Sequence, residues 1–470
     1  MRRIRRTQWL LAFLSILPMA CTSVCVSEAT YVSTRSPSAI TKTSSSPERA
    51  PLGLASFGSP VAMNPSTPRV EADQQAGPGE LSVEALVQQV LDRNPSLAQM
   101  VAAWQAASAR YPQVTSLEDP MLTGKLGPGA LGSNNVNGGY MVEISQKLPF
   151  PGKLKLRGQS AQAEANAAGL DVEDMRLQLI ENAQSAFYDY YLVARALEWN
   201  EESLKLWQRA KQDASTRYEA GKVEQQDVLQ ANVEIGREQE RRLGLEEMRK
   251  IAIARMNTLM HLAPDTPLPP PPRDIKLHET LPQAAELRAL AVARRPELQA
   301  LANRIDAERA ALALARKEFL PDVELMAGYD SFWQEKELRA QVGMRINLPV
   351  YKGRRYGAID EAQAKIAQRQ AELDRQTDQV SFQVQEGYEK TLKAEKSVRL
   401  YEKTILPTAE LNAKAARSAY VAGKISALSR IEAERNLVTL RDRYYEAVAD
   451  YFRRRATLER VIGGPVVRPE

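Results

Sequence analysis

The sequence predicts a mainly α-helical fold with a small β part: two tandem copies of a long helical hairpin, with four strands per chain. Three observations carry that prediction. The chain repeats itself internally, its helical segments are far longer than those of globular domains, and short stretches alternate apolar with charged residues.

The repeat has an offset of about 200 residues. Asn94-Pro95-Ser96-Leu97 recurs as Arg295-Pro296-Glu297-Leu298, and Leu148-Pro149 with Gly152 recurs as Leu348-Pro349 with Gly353. Tyr218-Glu219-Ala220-Gly221-Lys222 recurs as Tyr420-Val421-Ala422-Gly423-Lys424, and each copy closes at a proline, Pro264 and Pro465. These markers keep one order and nearly one spacing. They define a first repeat over 81–264, a Pro-rich linker over 265–281, a second repeat over 282–465 and a tail over 466–470.

Each copy reads helix, strand pair, long helix, turn, shorter helix. The helices are expected over 81–111, 153–218 and 225–262, then over 282–319, 353–420 and 427–462. In the first long helix Ile180, Ala183, Phe187, Tyr190, Ala194, Leu197 and Leu204 follow alternating three- and four-residue steps. Val384, Gly387, Thr391, Ala394, Val398, Tyr401 and Ile405 do so less strictly in the second. Such spacing is the seam of a coiled coil. At 1.5 Å per residue a helix of this size reaches about 100 Å, whereas a mean globular helix has about 11–12 residues. The two shorter helices of each copy nearly match the long one in length, so end-to-end stacking beside it is expected. The product is a tube or a fibre.

Strands are expected within about 120–148 and 321–350. Leu338, Ala340, Val342, Met344, Ile346 and Leu348 alternate with Arg339, Gln341, Gly343, Arg345 and Asn347. Tyr140, Val142, Ile144 and Leu148 alternate with Glu143, Ser145 and Lys147, and Val323, Leu325, Ala327 and Tyr329 form a third strand. The fourth, around 121–126, is short and weak. Segments of about nine to eleven residues with one apolar and one charged face fit a transmembrane barrel around an aqueous lumen. A soluble half-buried sheet has the same period. Four strands cannot close a membrane barrel, which starts at about eight, so a barrel here must be shared between subunits.

The N-terminus has a separate logic. Arg2, Arg3, Arg5 and Arg6 precede a short apolar run over 9–16 and then Leu17-Pro18-Met19-Ala20-Cys21, the pattern of a secretory signal peptide over 1–20. Cys21 after Ala20 is similar to a bacterial lipoprotein box, with Pro18 where Leu is usual, so acylation of Cys21 stands beside plain cleavage. Residues 21–80, rich in Ser, Thr and Pro, read as a disordered leader. The chain has 63 basic residues; without those four arginines 59 remain against 58 acidic ones. The basic pI of about 9.0 therefore indicates no nucleic-acid partner. Cys21 and Cys25 are the only cysteines, so no disulfide framework supports the body.

Over nearly all of 81–465 the sequence resembles the TolC-like outer-membrane efflux factors, in its two-fold repeat, its element order and its glycine turns. Arg217-Tyr218-Glu219-Ala220-Gly221-Lys222, followed by Asp227-Val228-Leu229, looks like the family's first tip motif, and Tyr420-Val421-Ala422-Gly423-Lys424-Ile425 like the second. Leu148-Pro149-Phe150-Pro151-Gly152-Lys153 is similar to the heavy-metal-efflux branch. The resemblance implies a homotrimer whose twelve strands form a barrel in the outer membrane and whose helices continue it as a periplasmic tunnel. It implies docking of a periplasmic adaptor, fed by an inner-membrane pump such as an RND transporter, at tips carrying Tyr218, Gly221, Lys222, Tyr420, Gly423 and Lys424. Asp227 and Glu432 become candidate pore-gate residues, with Ser429 where a gate carboxylate is often found. A carboxylate ring would favour cations; a solvated helix face explains the same acids. Independently of the family, Gly221 and Gly423 suit helix reversals that need φ > 0.

Enzyme chemistry finds no support in the residues. His261 and His278 are the only histidines, and no His/Cys cluster has metal-ligand spacing. There is no phosphate-cradling glycine loop and no nucleophile with an evident base, so no cofactor is expected. His261 reads as a helix C-terminal residue. A soluble periplasmic coiled-coil scaffold would explain the helices but not the signal peptide or the alternating strands. An adaptor subunit would not need duplicated hairpins with strand pairs.

Overall fold

The computed structural model describes residues 79–128, 139–277 and 281–466, all within the unit Pro68–Glu470. The signal peptide, Cys21, nearly all of the leader, His278 and residues 467–470 of the tail lie outside the described residues.

Each copy opens with a broken helix. In the first, α1 (Val83–Arg93) starts at Ser82, whose hydroxyl accepts from the Ala85 N–H at 3.1 Å. It stops at Asn94, and α2 (Pro95–Ser108) and α3 (Arg110–Thr115) follow. In the second copy α6 (Ala284–Arg294) stops at Arg295 before α7 (Pro296–Lys317). One continuous helix was expected in each place, and proline overturns it. The residue before each proline is forced into extended backbone, ψ 122° at Asn94 and 120° at Arg295. The recurring X-Pro marker is thus a corner.

The long helices follow the strands. After β1 (Met121–Leu126) and β2 (Tyr140–Leu148), α4 (Lys153–Glu219) runs for 67 residues and α5 (Gln225–Leu259) returns. After β3 (Val323–Asp330) and β4 (Ala340–Ile346), α8 (Lys352–Leu400) passes through a π turn at Tyr401–Ile405 into α9 (Leu406–Val421), and α10 (Ala427–Ile462) returns. The interruption of the second long helix was not foreseen. Pro407 has no N–H for the Lys403 carbonyl, and the Leu406 N–H reaches five residues back to Tyr401.

In its first half α4 is bordered by α2, α3 and α7, and α7 borders α8; in its second half it is bordered by α5 and α10, and α10 borders α8 and α9. The shorter helices therefore do lie beside the long ones in both copies. The expected seam is only part of the burial. Ala183, Phe187 and Tyr190 are buried, but so are Tyr188, Tyr191, Val193, Trp199 and Trp207 on other sides of α4, because it has neighbours on several faces. On α8 the seam holds at Val384, Thr391, Ala394 and Val398.

The main core is a belt at mid-length, where Phe187 and Tyr191 of α4 meet Leu86 and Val90 of α1, Met256 of α5 and Tyr451 of α10. The Pro-rich linker is strapped onto this belt. The Tyr190 hydroxyl donates to the Pro269 carbonyl at 3.2 Å, and the Asn257 amide donates to the Thr266 carbonyl at 2.8 Å. The Leu81 N–H donates to the Pro270 carbonyl at 2.9 Å, which fastens the entry of α1 to the same strap.

The strands form one antiparallel sheet in the order β1-β2-β3-β4, and the β2–β3 pair joins the two copies. They have six, nine, eight and seven residues, mostly shorter than expected. β4 loses its first turn because Lys336–Leu338 forms a 3-10 turn instead.

Candidate functional site

Two features of this fold bear on function: the sheet, and the helix reversals at the other end of the long helices.

The register sorts side chains by face. Leu122, Ile144, Ala327 and Val342 stand in one row, and Val142, Tyr329 and Ala340 in the next row on that face. The opposite face carries Thr123, Glu143, Gly328 and Gln341 in one row and Lys147, Glu324 and Arg345 in another. On that face Arg345 pairs with Glu324 at 2.9 Å. The apolar face is open along the sheet: Val342 is 89% exposed, and Leu122, Ile144 and Met344 are exposed with it, while the polar face is largely half-buried on β2 and β3 and exposed on β4. A soluble sheet buries its apolar face, so this arrangement is inside out for water and correct for lipid. No helix among the described residues is long and apolar enough to cross a membrane. β1 and β4 each have one partner strand among the described residues, so the sheet ends in two open edges.

At the far end the two reversals have the same geometry. Gly221 has φ +67° and Gly423 φ +70°. The Lys222 N–H donates to the Arg217 carbonyl and the Gly221 N–H to Tyr218; Lys424 and Gly423 repeat this with Ala419 and Tyr420. These are paired Schellman closures, in which only a residue without Cβ takes the left-handed position freely.

The side chains break the symmetry. Tyr218 is 46% exposed, whereas Tyr420 is 4% exposed and held on three sides. Arg217 and Arg430 each lie 5.1 Å from its ring centre, and its hydroxyl donates to Asp227 Oδ2 at 3.2 Å. Arg217 also donates to the Tyr420 and Val421 carbonyls at 3.0 and 2.9 Å, capping the end of α9 with a side chain from the first copy. Burial and the neighbouring Asp227 carboxylate push the Tyr420 hydroxyl up from its ordinary pKa. The structure thus joins Asp227 to Tyr420 and leaves Glu432 apart and exposed. Lys222, Lys424 and both glycines are exposed at the reversals. Arg217 and Arg430, which hold the two hairpins together, carry no local sequence signal for that role.

Behind this latch lies a layer of buried acids. Glu434 is buried beside Arg417, at 3.1 Å, and burial raises its pKa although Arg417 and Arg430 pull it back. Glu234 is buried and paired with Arg435, which joins α5 to α10. No group of three or more His, Cys, Asp or Glu among the described residues is placed to hold a metal ion.

Residues 86–260 and 287–464 match the outer membrane efflux protein family, one stretch per repeat. The chain belongs to that family. This outer membrane efflux protein is similar to the cobalt-zinc-cadmium resistance protein CzcC of Cupriavidus metallidurans, 24% identical over 347 residues that cover 68% of this chain and 76% of CzcC. Among solved structures it shares its fold with the outer membrane protein VceC of Vibrio cholerae, with TM-score 0.68, 19% identity and coverage of 82% of this chain and 97% of that one. CusC, whose structure concerns folding and transmembrane channel formation, is similar with TM-score 0.69, 18% identity and coverage of 82% and 92%. The family's place is the outer membrane, and this chain is an outer-membrane channel component.

Proposed function

We propose that three copies of this chain form the passive outer-membrane conduit of a tripartite efflux system that exports metal cations. The observation that carries this reading is the four-stranded sheet with an exposed apolar face and two open edges. Three such sheets joined edge to edge make twelve strands, enough to close a barrel with its polar face inward. The helical layer supports the same arrangement, because α5 and α9 border it on opposite sides and carry exposed Leu229, Val233, Leu243, Leu411 and Val421. A heterologous contact closed by a three-fold rotation satisfies both sets of edges at once.

In this reading the helix reversals point away from the membrane and present Tyr218, Lys222 and Lys424 to a periplasmic adaptor. The adaptor is supplied by an inner-membrane pump of the RND class, which provides the energy. The Asp227–Tyr420–Arg217 latch holds the tip narrow until the adaptor engages. Metal cations as cargo rest on the similarity to CzcC and on the Pro149-Phe150-Pro151-Gly152-Lys153 segment leaving the barrel.

The test is the mass of the protein purified from membranes in mild detergent, by light scattering or native mass spectrometry. A trimer is expected; a monodisperse monomer overturns the shared barrel. Zinc, cobalt and cadmium tolerance on deletion then tests the cargo, and unchanged tolerance to all three overturns it.

A further inference from the structure

Three of the four connections between the sheet and the helices, 147–157, 316–324 and 345–355, hold ten basic residues and three acidic ones, and the fourth, 116–120, adds Asp119 and Glu118, which pairs with Lys147 at 3.2 Å. The three acids beside the cations are already engaged. Lys153, 1% exposed at the start of α4, donates to Asp322 at 2.8 Å and to Glu318 at 3.4 Å, while Glu324 pairs with Arg345. Lys155, Arg157, Arg316, Lys352 and Arg354 have no acidic partner within 4.0 Å among the described residues. Lys317 and Arg355 donate only to carbonyls, of Pro151 and of Glu318 and Tyr351. Such an excess of unpaired cations in so short a span repels itself, and it calls for an anion from outside the chain.

Their place indicates which anion. The alternation of Val342, Met344 and Ile346 runs on through Leu348 and Val350, all of them exposed. Two residues further stands Lys352, and Tyr356 lies one helical turn beyond it on the same side of α8. Tyr351 is 80% exposed, and Tyr356 packs on Phe319 with ring centres 5.3 Å apart while staying open to solvent. Aromatic rings followed by long basic side chains, directly beyond an apolar band, match the headgroup layer of a membrane. There the rings sit at the interface and the cations reach phosphate.

We propose that this collar binds the phosphates of anionic phospholipids in the leaflet on the helical side of the membrane, with Lys352 and Arg354 as its principal contacts. The proposal rests on the membrane-barrel reading above. The collar fixes the depth at which the barrel sits. Buried Lys153 contributes indirectly, because it holds the nearest carboxylates away from the exposed cations.

The test uses the full chain reconstituted in phosphatidylcholine vesicles with and without phosphatidylglycerol, and reads the association of each spin-labelled lipid with the protein. The unmodified protein should prefer phosphatidylglycerol. A cation near an anionic surface contributes about a fivefold preference, so Lys352→Gln with Arg354→Gln should lower the association ratio about fivefold or more. Both residues are exposed, and the variant's assembly is checked by its mass in detergent. A ratio near one in the unmodified protein overturns the proposal and leaves the barrel intact. A ratio unchanged in the variant, with an altered ion preference of the pore, places these cations in the lumen and also overturns it. Absence of any motionally restricted lipid overturns the barrel reading and the collar with it.

Discussion

His261 and Gly463 end the returning helices of the two copies in the same way. In each, the N–H of the following residue reaches back to a carbonyl of the last turn, Leu262 to Asn257 at 2.8 Å and Gly464 to Glu459 at 2.9 Å. His261 does so at φ +55° and is the one non-glycine with positive φ among the described residues. That conformation costs an L residue about 1–2 kcal/mol, part of which glycine returns through its freer unfolded chain. His261→Gly should therefore stabilise the fold by about 0.5–1 kcal/mol, seen as a higher unfolding midpoint in detergent. Gly463→Ala should destabilise it, since a Cβ there would lie 3.1 Å from the Arg294 carbonyl carbon. Glu434 makes a second residue-level case. Burial raises its pKa above the unfolded value of 4.5, so the folded state binds its proton more readily than the unfolded one. The penalty of the charged form is complete above the folded pKa and is gone below about 4.5. Glu434→Gln should raise the midpoint at neutral pH, and the gain should shrink as pH falls through that window. A gain independent of pH would assign the effect to packing instead.

Among the elements, the proposed conduit would divide the helix reversals into a closing part and a docking part. Tyr420→Phe removes the bond to Asp227, and Arg217→Ala removes both caps on α9 and one of the two cations over the Tyr420 ring. A hydrogen bond to a charged group contributes about 1.5–3 kcal/mol, a large share of what holds two exposed tips together. Either change should raise single-channel conductance in planar bilayers while the trimer survives. Lys222→Glu with Lys424→Glu touches exposed side chains outside the latch. It should leave conductance unchanged and lower efflux in cells; normal export would remove charge from the docking argument. Much of this was legible in the sequence. The glycine turns, the strand alternation and the long helices all follow from local patterns of period two or three to four. What was not legible depends on residues far apart. No local signal shows that Arg217 meets Tyr420 some 203 positions away, or that Asp227 and Glu432 have different surroundings. The corners at Pro95 and Pro296 and the π turn before Pro407 were open to a sequence reading. A continuous apolar period concealed them, although proline's missing N–H required a break.

At the scale of the whole molecule, the question is which solvent each surface meets. The core of the helical half is built as in a water-soluble protein: its belt is buried, and charges pair across helices, as Asp189 does with Arg255 and Arg453. The sheet is the reverse, with apolar side chains outside and the Arg345–Glu324 pair on the other face. A lone chain in water leaves that apolar face exposed at a cost of about 25 cal/mol for each Å². In the proposed barrel, closure by itself would not remove the cost, because joining edges covers backbone groups and not the outer face. Lipid would be required as well. The two faces should then respond oppositely to the same charge. Val342→Arg places a cation on the outer face near the middle of β4, where about 2–4 kcal/mol is lost in a bilayer. Gln341→Arg, one residue earlier, places it on the face that already carries Arg345 and Glu324. Outer-membrane yield and heat-stable trimer should fall for Val342→Arg and stay near normal for Gln341→Arg. Equal loss for both would mean that β4 tolerates no arginine on either face, and equal tolerance would mean that water reaches both faces. Equal tolerance would therefore exclude a lipid-facing wall.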